Sequence, residues 1–366
     1  MVPLQIERER PLATADADDF LPEALQFRPS APLVDIGANL THESFGRDLE
    51  AVIQRARAAQ VTTMIVTGTD LAHAEQAVAL AKQYPGLYAT AGVHPHDASR
   101  WDDNLERDMA ALHAMPEIVA VGECGLDFNR NFSTPQEQER AFEAQLALAV
   151  ESGLPLFLHE RDAGQRMREI LHAWRDDISH AVVHCFTADR DTLFGYLDLD
   201  LHIGLTGWIC DERRGHHLRP LVSDIPLERL MVETDCPYLL PRNLPAKLKG
   251  RRHEPALLPW IVREIAQWQG ISEAELGAAT TQTAQRFSVF PRNLNRSISV
   301  VDYPGFIAIE TGEDDGLPLA IAWSLPDGRV KQTLIQPDDS WIKEDTNAMG
   351  AYSMEELESL GLARLR

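Results

Sequence analysis

The sequence predicts an α/β protein: a (β/α)8 barrel of the TIM type, followed by a small, mainly β C-terminal appendage. Eight short apolar runs recur at a spacing of roughly 20–35 residues over about 250 residues, which fits a barrel of this kind. Stretches with helical spacing lie between the runs, and this alternation favours a parallel sheet. The runs are continuous, as is typical of parallel strands buried on both faces.

In chain order, the helix with the clearest signals follows the fourth strand and covers 136–151. Phe142, Leu146 and Val150 lie four residues apart and are predicted to share its buried face. Thr134 and Pro135 come just before it, as expected of the cap and first position of a helix. The eight predicted strands cover 33–36, 63–66, 88–91, 118–121, 154–158, 181–183, 201–204 and 230–233.

The runner-up fold is an open, doubly wound sheet. The two folds differ in where functional residues fall: an open sheet gathers them at one switch point, whereas a barrel draws them from the ends of many strands. In this sequence the candidate functional residues follow four different strands, which favours the barrel.

Three regions are predicted along the chain: a flexible N-terminal arm at 1–31, the barrel at 32–295, and a small acidic β-rich segment at 296–366. The arm mixes both charges and has no apolar stretch of the signal-peptide kind, so we expect a cytoplasmic protein. The last segment shows strands at 306–309, 318–325 and 330–335, a turn at 326–328 and a helical tail at 353–360. Because about 70 residues are marginal for an independent core, we expect it to pack on the barrel or on another chain.

Composition and charge exclude several classes of protein. The 366 residues are 44% hydrophobic and 25% charged, which is ordinary for a globular protein. No apolar run is long enough to cross a membrane. The net charge of −22 excludes a general electrostatic binder of nucleic acid. A nucleic-acid ligand would need a local basic site or a bound metal.

The four cysteines are too widely spaced for a C-x-x-C pair, so neither a zinc knuckle nor a redox dithiol is predicted. Polar side chains at the ends of four predicted strands point to a different metal site. Glu123, His159, His184 and Asp235 each follow an apolar run, and a barrel brings such strand ends to one rim. Any one of them alone would be read as a cap or a satisfied polar residue. Together, their nitrogen and oxygen donors suit a divalent ion such as Mg²⁺, Mn²⁺ or Zn²⁺.

Several motifs, in order along about 33–290, resemble the TatD family of metal-dependent deoxyribonucleases. The resemblance implies a (β/α)8 barrel with a divalent-metal site. It also implies 3′→5′ removal of nucleotides from single-stranded or damaged DNA, and possible action on RNA, in DNA repair or degradation. The strings that resemble the family are TAGVHPH at 90–96, GECGLD at 122–127, HCFT at 184–187 and ETDCPYL at 233–239.

Glu123, His159, His184 and Asp235 match the family's metal ligands. By the same resemblance, Asp235 is the catalytic group that holds or deprotonates the attacking water. Glu123 is the second catalytic residue and the ligand best placed to bridge two ions. Mg²⁺ is the first ion expected, with Mn²⁺ and Zn²⁺ as alternatives.

The chain departs from the family pattern at the end of the first strand. Most members have His-x-His there, whereas this chain has Gly37 and Asn39. A family member that this chain strongly resembles looks the same at these positions, so activity is not excluded. We expect one ion, or a second ion recruited with the substrate phosphate.

Substrate contacts are predicted from His94, Arg161 and the basic loop after the eighth strand. His94 could contact phosphate or metal, and its alternative role is in a turn built on Pro95. Arg161 has the alternative of an ion pair with Glu160 or Asp162. The loop has the alternative of being merely solvated. Its five basic residues can hold a single-stranded phosphate backbone. They are Arg242, Lys247, Lys249, Arg251 and Arg252.

Two other functions and one further resemblance remain open. A D-aminoacyl-tRNA deacylase or other ester hydrolase would use the same barrel site, and a binding protein with a decayed site would explain the absent His-x-His. Residues 306–312 faintly resemble the first strand of DnaQ-like exonucleases, which begins Asp-x-Glu. Ala308 stands at the Asp position and only Glu310 remains, so we expect this segment to be non-catalytic. The sequence leaves the oligomeric state open.

Overall fold

A computed structural model describes residues 21–288 and the backbone of three strands beyond them. The chain divides into two compact units, Met1–Pro291 and Arg292–Arg366, close to the boundary expected at 295. Within the described residues, no helix combines the length and apolar character needed to cross a membrane.

The first unit contains eight parallel strands hydrogen-bonded in chain order, as a (β/α)8 barrel requires. All eight predicted strands are confirmed, and the open sheet is excluded by contacts between the first and last strands. The fourth strand continues to Asp127, so Glu123 lies within a strand instead of after one. The strands are β1 Leu33–Ala38, β2 Val61–Val66, β3 Leu87–Ala91, β4 Ile118–Asp127, β5 Leu156–Arg161, β6 Ala181–Val183, β7 His202–Leu205 and β8 Leu230–Val232.

Helices connect the strands, except that β7 and β8 are joined through short 3-10 segments. The predicted α4 begins at Pro135, capped by Thr134, and Phe142 and Leu146 are buried. Val150, however, is 38% exposed. Each four-residue step turns a side chain by about 40°, so the third residue rotates out of the buried face. The helices are α1 Leu49–Ala58, α2 Leu71–Gln83, α3 Asp103–His113, α4 Pro135–Ser152, α5 Gly164–Trp174, α6 Arg190–Asp198, α7 Leu258–Gln269 and α8 Glu273–Phe287.

Residues of β1 and of the loop just after β8 join the two ends of the sheet. The Asp235 amide donates to the Gly37 carbonyl at 2.8 Å. Asp35, fully buried, accepts the Thr234 amide at 2.9 Å and the Thr234 hydroxyl at 2.6 Å. These bonds attach the loop after β8, which contains Asp235, to the first strand.

Replacing Asp35 with alanine is expected to lower the free energy of unfolding by about 2–4 kcal/mol, because it leaves the buried Thr234 amide and hydroxyl without an acceptor. Urea denaturation measures the change. Thr234→Val, which keeps the backbone bond and loses only the hydroxyl, is expected to cost less. An Asp35→Ala variant as stable as the wild type would show that these bonds do not hold the closure.

The predicted N-terminal arm is only partly described, because residues 1–20 lie outside the described range. The prediction of a flexible arm as far as residue 31 is wrong for its last part. Leu25 is fully buried and its carbonyl accepts the Trp260 indole N–H at 3.1 Å, while the Phe27 ring packs against the same indole. The Leu25 carbonyl and the Phe27 ring therefore hold this stretch against α7.

The second unit contains a three-stranded antiparallel sheet in the order β11-β10-β9. Its strands are β9 Ile307–Thr311, β10 Pro318–Ser324 and β11 Val330–Leu334, which confirms the three predicted strands. The predicted turn at 326–328 and helical tail at 353–360 lie outside the described residues.

Candidate metal centre

Three imidazoles surround one carboxylate oxygen, Oε1 of Glu123. His159 Nδ1 and His184 Nε2 each lie 2.9 Å from it, and His94 Nε2 lies 3.3 Å away. These side chains come from β4, β5 and the loops after β6 and β3, so the barrel brings together residues distant in sequence. Burial would raise the pKa of Glu123, but His184, His94 and His159 hold it well below its ordinary value. The three imidazoles therefore favour the ionised form of Glu123.

The donor atoms of this cluster fit a metal ion. One ligand atom from each of His94, Glu123 and His159 lies within 4.8 Å of the other two. His159 Nε2 is buried and makes no close hydrogen bond among the described residues; Asp127 Oδ2 lies 3.5 Å from it, at the limit of an ion pair. Burial also lowers the pKa of His94, which favours the neutral, ligating form. His94 was predicted to contact phosphate or metal, and the structure places it within this group of possible metal ligands.

Asp235 lies at the rim of the same cleft, just after β8. Its backbone is left-handed, with φ of 53°, which is uncommon for a residue other than glycine and typical of functional sites. Asn39 Nδ2 donates to Asp235 Oδ1 at 2.9 Å. Burial raises the pKa of Asp235 to about 7, with the charges of Glu233 and Glu123 adding to the effect and that of His184 opposing it.

Glu233 occupies the space beside Gly37. Its side chain is fully buried and fills the space beside both Gly37 and Gly204, where an added Cβ would overlap one of its carboxylate oxygens. Its Oε1 accepts the Cys185 amide at 2.5 Å, and its Oε2 lies 3.3 Å from His184 Nδ1. Glu233 thus leaves no room for a side chain at position 37 and holds the His184 ring.

Asp127, for which the sequence predicts no role, also lies in this site. Its Oδ2 lies 2.8 Å from His96 Nε2 and 3.5 Å from His159 Nε2, deep in the cleft. Although burial opposes ionisation, His159, the Arg130 amide and His96 lower the pKa of Asp127. Strand alternation could have found this residue, because Glu123 and Asp127 are four apart in one strand and share a face.

The cleft around these residues has a volume of about 640 Å³. Arg161 is exposed and lines this cleft. The alternative prediction for Arg161 was an ion pair with Glu160 or Asp162, and no such pair is found within the described part of the chain. Of the aromatic side chains near the rim, Phe132 is 67% exposed and Tyr238 53%.

The basic loop does not form one surface. Arg242, Lys247 and Arg251 line a second cleft, next to the first. Arg252 lines neither cleft and is bound elsewhere: its guanidinium donates to Asp48 at 2.6 and 2.7 Å and lies over the Phe45 ring. We therefore leave Arg252 out of the substrate path.

Arg252→Ala is expected to lower the free energy of unfolding by about 1–2 kcal/mol, since it breaks a partly buried ion pair made through two hydrogen bonds. KM for an oligonucleotide should stay within about twofold of the wild-type value, because the residue lies outside both clefts. Thermal denaturation and initial rates measure the two effects. A rise in KM with unchanged stability would return Arg252 to the substrate-binding set.

Known proteins resemble this chain over the barrel. The family model described as "TatD related DNase" matches residues 34–288, which confirms the resemblance predicted over 33–290. The "3'-5' ssDNA/RNA exonuclease TatD" of Salmonella typhimurium is 51% identical over 253 residues, covering 69% of this chain and 97% of that protein. The protein of the same name from Enterobacter lignolyticus is 56% identical over 238 residues, covering 65% and 92%.

Among solved structures, YJJV, a TatD homologue from Escherichia coli K12, superposes with a TM-score of 0.65 at 25% identity, covering 73% of this chain and all of that one. A TatD family hydrolase from Entamoeba histolytica has the same TM-score at 24% identity, covering 72% of this chain and all of that one, which shows a shared fold. With the family model and close relatives in agreement, this chain belongs to the TatD family of hydrolases.

Proposed function

We propose that the barrel is a divalent-metal-dependent phosphodiesterase that removes nucleotides in the 3′→5′ direction from single-stranded DNA or RNA. The observation that supports it most is the convergence of His94, His159 and His184 on one ionised oxygen of Glu123. The curated relatives named as 3′-5′ ssDNA/RNA exonucleases supply the direction and the substrate class.

Glu123, His159, His184 and Asp235 form the proposed ligand set, which His94 joins. When bound there, a divalent ion acidifies water and neutralises charge on the phosphoryl oxygens. Mg²⁺ is the first ion to test, followed by Mn²⁺ and Zn²⁺. We propose a single resident ion, because Glu233 occupies the space beside Gly37 and the Asn39 amide is committed to Asp235.

Asp235 is the proposed base. Its Oδ1 is held by the Asn39 amide, which leaves Oδ2 to hold the attacking water and take its proton. Glu233 keeps the His184 ring in place from the opposite nitrogen, as ligating imidazoles require.

Arg161 is the proposed phosphate contact inside the catalytic cleft, because a planar guanidinium binds phosphate oxygens through two donors. In the loop after β8, Arg242, Lys247, Lys249 and Arg251 are proposed to hold the rest of the strand. These groups offset locally a net charge of −22 that would otherwise repel nucleic acid.

Digestion of end-labelled oligonucleotides tests the proposal. With Mg²⁺, a 3′ label should leave at once as mononucleotide, whereas a 5′ label should pass through a ladder of shortening products. EDTA and the Glu123→Ala variant should stop both reactions. Cleavage of D-aminoacyl-tRNA with intact oligonucleotides would favour the deacylase instead, and metal binding with neither activity would favour a binding protein.

A further inference from the structure

A second cleft, of about 550 Å³, adjoins the catalytic one. The two share a wall made by Trp208, Arg214 and Leu239, each of which lines both. The Arg214 guanidinium lies over the Trp208 ring at 4.5 Å, and the Trp208 indole donates to the Arg214 carbonyl at 3.3 Å. A molecule that left the catalytic cleft over this pair would enter the second cleft directly.

Asp211 holds two arginines at that boundary. Its carboxylate is buried, and its Oδ2 accepts Arg214 Nε at 3.0 Å and Arg242 Nη1 at 3.3 Å. Its Oδ1 accepts the backbone amides of Arg213 and Arg214. One carboxylate cannot satisfy all the donors of two guanidiniums, so both arginines keep N–H groups for a ligand.

The lining of the second cleft combines charge with apolar surface. Four basic side chains face one carboxylate there, so the cleft is locally positive in a strongly acidic protein. Leu240, Leu244 and Leu248 supply apolar surface beside them. Such a mixture suits a single-stranded nucleic acid, in which phosphate groups alternate with flat bases.

We propose that the second cleft binds the nucleotides on the 5′ side of the scissile phosphate in a single-stranded substrate. The inference rests on the proposed 3′→5′ activity, in which the terminal nucleotide occupies the catalytic cleft and the remaining strand must leave it on the 5′ side. The shared wall of Trp208 and Arg214 gives that strand its path, and the basic side chains beyond hold its phosphates.

Binding without metal tests this placement separately from catalysis. Fluorescence anisotropy in EDTA would measure the Kd of a labelled hexanucleotide for the wild-type full chain and for Lys247→Ala/Arg251→Ala, whose two side chains are exposed. We expect Kd to rise about tenfold, and the slope of log Kd against log salt to fall by about 1.4, because two phosphate contacts are lost. The affinity of the double variant for a mononucleotide, measured by competition, should equal that of the wild type, because a mononucleotide needs only the catalytic cleft.

Lys82→Ala/Arg286→Ala is the matched control, since it removes two exposed positive charges that line neither cleft. With Mg²⁺, the wild-type gain in kcat/KM from a dinucleotide to a hexanucleotide should shrink in the cleft variant and persist in the control. Equal Kd values and salt slopes for the two variants would overturn the second cleft as a substrate site. The proposal would also be overturned if an acidic peptide with the same charge as the hexanucleotide bound the wild type equally tightly. Failure of the wild type to release mononucleotides would instead overturn the proposed function, whatever the binding result.

Discussion

Asp235→Asn is expected to lower kcat for mononucleotide release by about 10³-fold, because an amide cannot take a proton from the attacking water. Asparagine has the same shape, and its carbonyl oxygen can still accept the Asn39 amide that Asp235 Oδ1 now accepts. The backbone bond from residue 235 to the Gly37 carbonyl is also kept. Stability should therefore change little while the chemical step is lost.

Single-turnover digestion of a 3′-labelled oligonucleotide at saturating Mg²⁺ measures this effect, with thermal denaturation to establish folding. Asp176→Asn, at an exposed position after α5, is the matched control and should retain full activity. A rate for Asp235→Asn within about threefold of the wild type would remove Asp235 from the catalytic set. It would leave Glu123 and its three histidines as candidate ligands, because their contacts do not involve Asp235.

The sequence was enough to find the strands, because buried parallel strands are continuous apolar runs and need no partner to be recognised. It also led to Glu123, His159 and His184, since each ends or follows such a run and a barrel brings those positions to one rim. The contact of both histidines with Glu123 Oε1 is thus a consequence of the barrel topology.

Contacts that depend on side-chain direction across the barrel could not be predicted. Glu233 belongs to the string at 233–239, but its role depends on Gly204 and Gly37, about 30 and 200 residues away, which have no side chain to occupy its space. Arg252 looked like its basic neighbours, yet its partner Asp48 is 204 residues away. Charge counts along a loop cannot separate a side chain bound to the protein from one that faces a cleft.

Glu123→Gln is expected to weaken Mn²⁺ binding by about 100-fold or more and to lower kcat/KM by at least about 10³-fold. The change keeps the size of the side chain but removes the one charge on which three imidazoles converge. A buried amide can still accept hydrogen bonds from these rings, but it is a poor ligand for a hard divalent ion. Affinity and rate should therefore fall together.

Calorimetric titration with Mn²⁺ measures the affinity without relying on activity, and Glu151→Gln, exposed at the end of α4, is the matched control. Circular dichroism would show whether the variant folds, and Glu123→Asp would replace it if it did not. Wild-type Mn²⁺ affinity in a folded Glu123→Gln protein would mean that the ion binds away from this carboxylate. In that case the buried charge would serve to hold His159 and His184 in place, and the chemistry would have to be sought elsewhere along the cleft.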